Sequence, residues 1–101
     1  METTISLPEN VRPGLYLIGM EALEALDEYL DGLTSVREVR NTINSSYSRF
    51  NDFYNFTAQE RSIELPIFSL RLSTTDWSQE DRILQDRNRL AEALNQPLRE
   101  N

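Results

Sequence analysis

The chain has 101 residues, 39% of them hydrophobic and 27% charged, with a formal net charge of −7. That length supports one modest core, burying about 65% of the unfolded chain's surface, and the acidic balance opposes direct binding to a phosphate backbone while suiting a basic partner. Cys, His and Lys are absent, which removes disulfides, the usual zinc, copper, haem and iron–sulfur ligands, and the usual general base near neutral pH.

Residues 1–14 read as an arm punctuated by Pro8 and Pro13. Thr3–Leu7 within it is either a short strand ended by Pro8 or a loose segment. The first helix is expected over 15–31. Leu15, Ala22, Leu23, Leu26 and Leu30 form one stripe that Leu33 continues, Gly19 on the same side leaves room for a close helix crossing, and Gly32 takes the C′ position. The opposite side carries Glu21, Glu24, Asp27, Glu28 and Asp31, with no basic residue between Pro13 and Val36. Like charges at i,i+3 and i,i+4 cost a few tenths of a kcal/mol per pair, about the same as an attractive pair gains. Asp31 also lies at the negative end of the helix dipole.

The second helix is expected over 35–54. Val36, Val39, Ile43, Tyr47, Phe50 and Tyr54 are spaced by three or four residues and fall within an arc of roughly 80°. Asn41, Thr42, Asn44, Ser45, Ser46, Ser48 and Asn51 between them are weak helix formers, so burial of the stripe has to hold the helix. Ser35-Val-Arg-Glu38 fits a capping box and leaves a short link to the first helix, which makes the two antiparallel neighbours. Thr57-Ala-Gln-Glu60 is a second capping box, enough for one short turn.

From Ser62 to Ser73 the pattern changes. Ile63, Leu65 and Ile67 alternate, and after a phase change so do Phe68, Leu70 and Leu72. This predicts an extended segment over 62–73 with a bend near Pro66–Phe68, lying at an edge because Pro66 has no N–H to donate. A third helix is expected over 77–96. Its narrow stripe of Ile83, Leu84, Leu90, Ala91 and Leu94 is interrupted by Arg87, and Pro97 ends it before a frayed tail over 97–101. The fold class is therefore mostly α in one small domain: an antiparallel helical hairpin, one extended edge segment and a C-terminal helix.

The acidic face of the first helix is the most specific feature, and Glu21, Glu24, Asp27, Glu28 and Asp31 are candidate contacts for a basic partner; a solvated helix face is the plainer reading. Tyr47, Phe50 and Tyr54 belong to the core stripe, whereas Phe53 and Phe56 point away from it and are candidates for partner anchors or for packing under the extended segment. Trp77 is either a staple at the start of the last helix or a surface anchor. All ten basic residues are Arg, whose planar fork suits structured pairs with carboxylates, although compositional bias gives the same count.

No nucleophile has a His or Lys to activate it, and no Gly-rich phosphate loop or calcium-loop pattern occurs. The expected function is thus non-catalytic and cofactor-free: a regulator, adaptor or inhibitor that binds another protein. Homodimerisation is expected too, because narrow stripes and an unpartnered strand leave apolar surface uncovered. Without disulfides, a basic leader or a long apolar run, a cytoplasmic location with no membrane contact is expected.

Thr4-Ile-Ser-Leu-Pro8, followed by helices and by Ser35-Val-Arg-Glu-Val39, resembles a ribbon-helix-helix antitoxin with a toxin-wrapping tail. In that family a basic strand enters the major groove. Here the strand has neither Arg nor Lys, and the gap from Pro8 to Ser35 is long for the family. The family is not assigned, and an antitoxin or transcriptional regulator linked to nucleic acid stands as the alternative.

Overall fold

Four helices make up the regular structure of the described residues: α1 (Pro13–Leu30), α2 (Val36–Phe50), α3 (Ala58–Arg71) and α4 (Glu80–Ala93). The computed structural model describes residues 8–100, so the strand expected at Thr3–Leu7 lies outside the described residues.

α1 starts two residues earlier than its apolar stripe indicates. Pro13 occupies the first helical position, where its missing N–H costs nothing and its fixed φ is already helical. The helix stops at a Schellman motif. Gly32 adopts φ +75°, its N–H bonds to the Tyr29 carbonyl at 3.0 Å, and the Leu33 N–H reaches the Glu28 carbonyl at 2.8 Å. α2 then runs antiparallel to α1, as the expected hairpin requires: Arg49, near the end of α2 and far from the Gly32 turn, bonds Glu21, midway back along α1.

The core of α2 is rotated from the predicted stripe. Val39, Ile43, Ser46 and Phe50 are buried, Tyr47 sits at the margin, and Val36 is exposed. The helix ends at Phe50, four residues before the expected boundary, and Tyr54 is 76% exposed instead of in the core. The chain reverses between α2 and α3 through Asn55, held at φ 56°, a left-handed conformation that Asn tolerates better than most residues.

The extended segment expected over 62–73 is helical, and no strand occurs among the described residues. α3 is entered through the Thr57–Glu60 capping box, with both reciprocal bonds present, and the helix continues well past the single turn predicted. Pro66 lies inside it and is buried. An interior proline removes one hydrogen bond and crowds the carbonyl four residues back, at a cost of about 3 kcal/mol. Packing and a strong cap offset that cost here: Ile63, Ile67 and Leu70 are each at most 1% exposed.

α4 is shorter than the predicted 77–96. Asp76 accepts bonds from the Ser78 N–H and hydroxyl, making a turn ahead of the helix. α4 ends in a second Schellman motif with Asn95 at φ 57°, the Gln96 N–H bonding the Ala91 carbonyl at 2.8 Å. The tail, expected to fray from residue 97, is instead tied down. Arg87 donates to the Pro97 carbonyl, and the Asn88 amide both donates to the Arg99 carbonyl and accepts from the Arg99 N–H.

Each helix packs on the next, α4 returns to α1, and α1 also reaches α3. Gly19 supplies the room at that centre. A Cβ there would sit 2.9 Å from Leu94 Cδ2 and 3.1 Å from Ile63 Cγ2, so the close crossing expected from sequence is present. One continuous core draws on all four helices, with Phe50, Leu15, Leu26, Ile43, Ile63, Ile67, Leu70, Ile83, Leu90 and Leu94 all fully buried.

Candidate protein-docking surface

The acidic side of α1 is far less bare than the sequence implies, because arginines distant in sequence fold back onto it. Arg49 forms a two-pronged pair with Glu21, each bond 2.9 Å long, and this holds the Glu21 carboxyl below its ordinary range. Arg87, itself buried, clasps Asp27 through Nε at 2.8 Å and Nη2 at 3.1 Å. Arg99 from the tail bonds both Asp27 and Asp31. Three of the five predicted contacts are therefore occupied within the chain. Glu24 and Glu28 are exposed and make no ion pair or side-chain hydrogen bond among the described residues.

The aromatic candidates go elsewhere too. Phe53 is half-buried against Gly14, where a Cβ would lie 2.9 Å from its ring. Phe56 stacks on the buried Phe50 with centroids 5.1 Å apart, and the guanidinium groups of Arg12 and Arg61 lie over its ring. Trp77 is 5% exposed, which corrects the surface-anchor reading. Its ring meets Tyr29 edge-on at 5.4 Å and its carbonyl accepts the Tyr29 hydroxyl at 2.6 Å, docking the α3–α4 connection onto the end of α1.

The surface that sequence reasoning missed is on α3. With about 100° between successive helical residues, Ile63, Pro66, Ile67 and Leu70 share one face, and Leu65, Phe68 and Leu72 fall within roughly 60° on the opposite one. The first set is buried; Leu65 is 62% exposed, Phe68 39% and Leu72 40%. Beside this outer stripe, Tyr47 of α2 packs on Phe68 with ring centroids 5.7 Å apart. The Arg71 guanidinium lies 4.5 Å from the Tyr47 ring centre and 5.9 Å from that of Phe68. Cation–π contact of this kind holds a long side chain in place while leaving its charge outward.

An open groove of about 790 Å³ adjoins the stripe, lined on the α2 side by Arg40, Asn44, Tyr47 and Ser48 and on the α3 side by Arg71 and Leu72. Among the described residues Asp52 is its one acidic lining residue. Such a surface offers apolar area, an aromatic pair, two guanidinium groups and neutral hydrogen-bonding side chains. Among the described residues no cluster of acidic side chains is placed to hold a metal ion, and no helix is long and apolar enough to cross a membrane. No family model, curated protein or solved structure matches the chain.

Proposed function

We propose that this is a non-catalytic protein that acts by binding another protein, as a regulator, adaptor or inhibitor, and that the outer face of α3 with the adjoining side of α2 is the docking surface. The observation that carries the proposal is the second apolar face of α3. A helix needs one apolar face to join a core; a second, opposite the first and partly open to solvent, costs solubility and lies outside the monomer's buried core. Exposed aromatic and Arg side chains side by side are also the composition in which binding hot spots are enriched.

The carboxylates of α1 keep a secondary role in this reading. Glu24 and Glu28 remain available to a basic patch elsewhere on the partner, while Glu21, Asp27 and Asp31 serve internal ion pairs. Self-association through α3 is a second reading, favoured by the coiled-coil-like spacing of Arg61, Leu65, Phe68 and Leu72.

A photo-crosslinking side chain placed at Phe68, and in a control at the exposed Glu92 of α4, tests the proposal in the source cell. A discrete adduct is expected from position 68 alone, and Leu65→Asp should remove it while leaving the circular dichroism spectrum unchanged. Equal adducts from both positions, or an adduct that survives Leu65→Asp in a folded protein, would refute the assignment of this surface.

A further inference from the structure

The geometry points to an acidic amphipathic segment of a partner protein as the occupant of the α2–α3 surface, its apolar side chains on Leu65, Phe68 and Leu72 and its carboxylates on Arg40 and Arg71. The inference rests on the docking reading above and adds the chemistry of the partner.

Charge is the first argument. The chain as a whole carries −7, yet the groove holds two arginines against one aspartate. Six of the ten arginines (Arg12, Arg49, Arg61, Arg87, Arg89 and Arg99) hold carboxylates of this chain, and of the four that make no ion pair or side-chain hydrogen bond among the described residues two, Arg40 and Arg71, line this one groove. An acidic protein with carboxylates to spare has thus brought two unmatched arginines to the same groove. Arg71 is moreover fixed over Tyr47 and Phe68, so a partner carboxylate meets a guanidinium whose side-chain entropy is already largely lost.

Area and charge together favour a segment over a second copy. The exposed parts of three large side chains come to on the order of 300 Å², which suits a short segment better than the roughly 800 Å² per partner of an interface between two folded domains. Two copies of α3 packed antiparallel about their centres would also set Arg61 of each beside Leu72 and Arg71 of the other, so like charges meet at both ends. An acidic segment laid along the same stripe reverses the sign of every such contact.

Fluorescence anisotropy with the full chain separates these occupants. The probe is a short labelled helix of leucine and glutamate in amphipathic register, compared with a twin carrying lysine at each glutamate. The acidic helix is expected to bind, to weaken steeply with added salt, and to lose about tenfold or more in affinity with Arg40→Glu/Arg71→Glu. Arg40→Gln/Arg71→Gln should fall in between.

Three results would overturn the inference: equal binding of the acidic and basic helices, affinity unchanged by the charge reversal in a folded protein, or equal competition by a single-stranded oligonucleotide. A concentration-dependent dimer in sedimentation velocity that Leu65→Asp abolishes would assign the face to a second copy instead. If Leu65→Asp removes binding while the charge reversal does not, the docking surface stands and the acidic partner falls.

Discussion

Replacing Glu60 with Gln removes one charge from the point where three segments of the chain are joined. The Glu60 side chain is 1% exposed. Its carboxylate accepts the Thr57 N–H at 2.9 Å, the Arg12 backbone N–H at 2.9 Å and the Arg12 guanidinium at 2.9 and 3.0 Å. Thr57 in turn donates its hydroxyl to the Asn10 carbonyl at 2.6 Å. The start of α3 is thereby fastened to the segment leading into α1. The Arg12 side-chain bonds are the largest influence on Glu60 and, with the two backbone N–H bonds, outweigh burial, holding its carboxyl at about 2 against an ordinary 4.5. A folded value below the unfolded one means stability that is fully present above pH 5 and lost as pH falls toward 2. At 1.36 kcal/mol per pH unit the contribution is bounded at about 3 kcal/mol, and the Arg12 side chain is 42% exposed, so solvent screening reduces it to about 2 kcal/mol. Glu60→Gln should therefore lower the melting temperature by roughly 8–16 °C at pH 7. The gap to the parent chain should shrink by more than half at pH 3 and nearly vanish at pH 2. Denaturant titrations followed at 222 nm at the three pH values measure it. A gap below about 0.5 kcal/mol at pH 7, or one as wide at pH 3 as at pH 7, would refute the assignment of this carboxylate as the fastening group.

Gly19→Val should destabilise the chain by about 2 kcal/mol or more in denaturant titration, because even a Cβ there lies 2.9 Å from the fully buried Leu94; an unchanged midpoint would show that the α1 crossing is loose. Arg87→Ala should cost about 2–3 kcal/mol, since it strips Asp27 of its buried partner and releases the Pro97 carbonyl, and hydrogen exchange over residues 97–100 should rise with it. Asp86 of α4 is buried against α3, and burial raises its pKa despite the nearby Arg89 and a bond from Ser69. A raised folded value favours the protonated form, so Asp86 makes the chain gain stability as pH falls through that value; Asp86→Asn should abolish this gain without lowering the melting temperature at pH 7. A large loss in that variant would mean that the Arg89 contact outweighs the cost of burial.

The helical hairpin was readable because its signals are local and periodic. Gly32 ends α1 for a backbone reason, and its φ of +75° is the conformation that glycine adopts without strain. Ser35 likewise accepts the Glu38 N–H at 3.2 Å as its spacing indicates. The boundaries and phase of α2 were less readable. A serine, Ser46, takes the buried position one residue before Tyr47, and no hydropathy pattern marks a serine as core. The arginine partners of α1 are of a third kind. Asp27 and Arg87 are 60 residues apart, a pairing set by how α4 returns to α1, and nothing in the sequence near either residue encodes it. Arg87 was legible only as an interruption of an apolar stripe, although its presence there was the sign that a buried position carried a charge in need of a partner.

α3 was misread for a reason that bears on function. Alternation of apolar and polar residues is the mark of a strand with one buried face, and a helix apolar on two opposite faces produces nearly the same string. Ile63, Ile67 and Leu70 belong to the core, while Leu65, Phe68 and Leu72 belong to the outer face; interleaved, the two sets imitate a period of two. Pro66 strengthened the imitation, since it is as unwelcome inside a helix as inside a central strand. The capping box at Thr57 was the contrary signal, and a stretch that opens as a helix yet alternates as a strand has one consistent solution, a helix with two apolar faces. Had the outer positions been polar, the period of α3 would have been plain and the core unchanged. The residues that hid the helix are therefore the ones outside the monomer's buried core, and this is the strongest physical reason to look for what covers them.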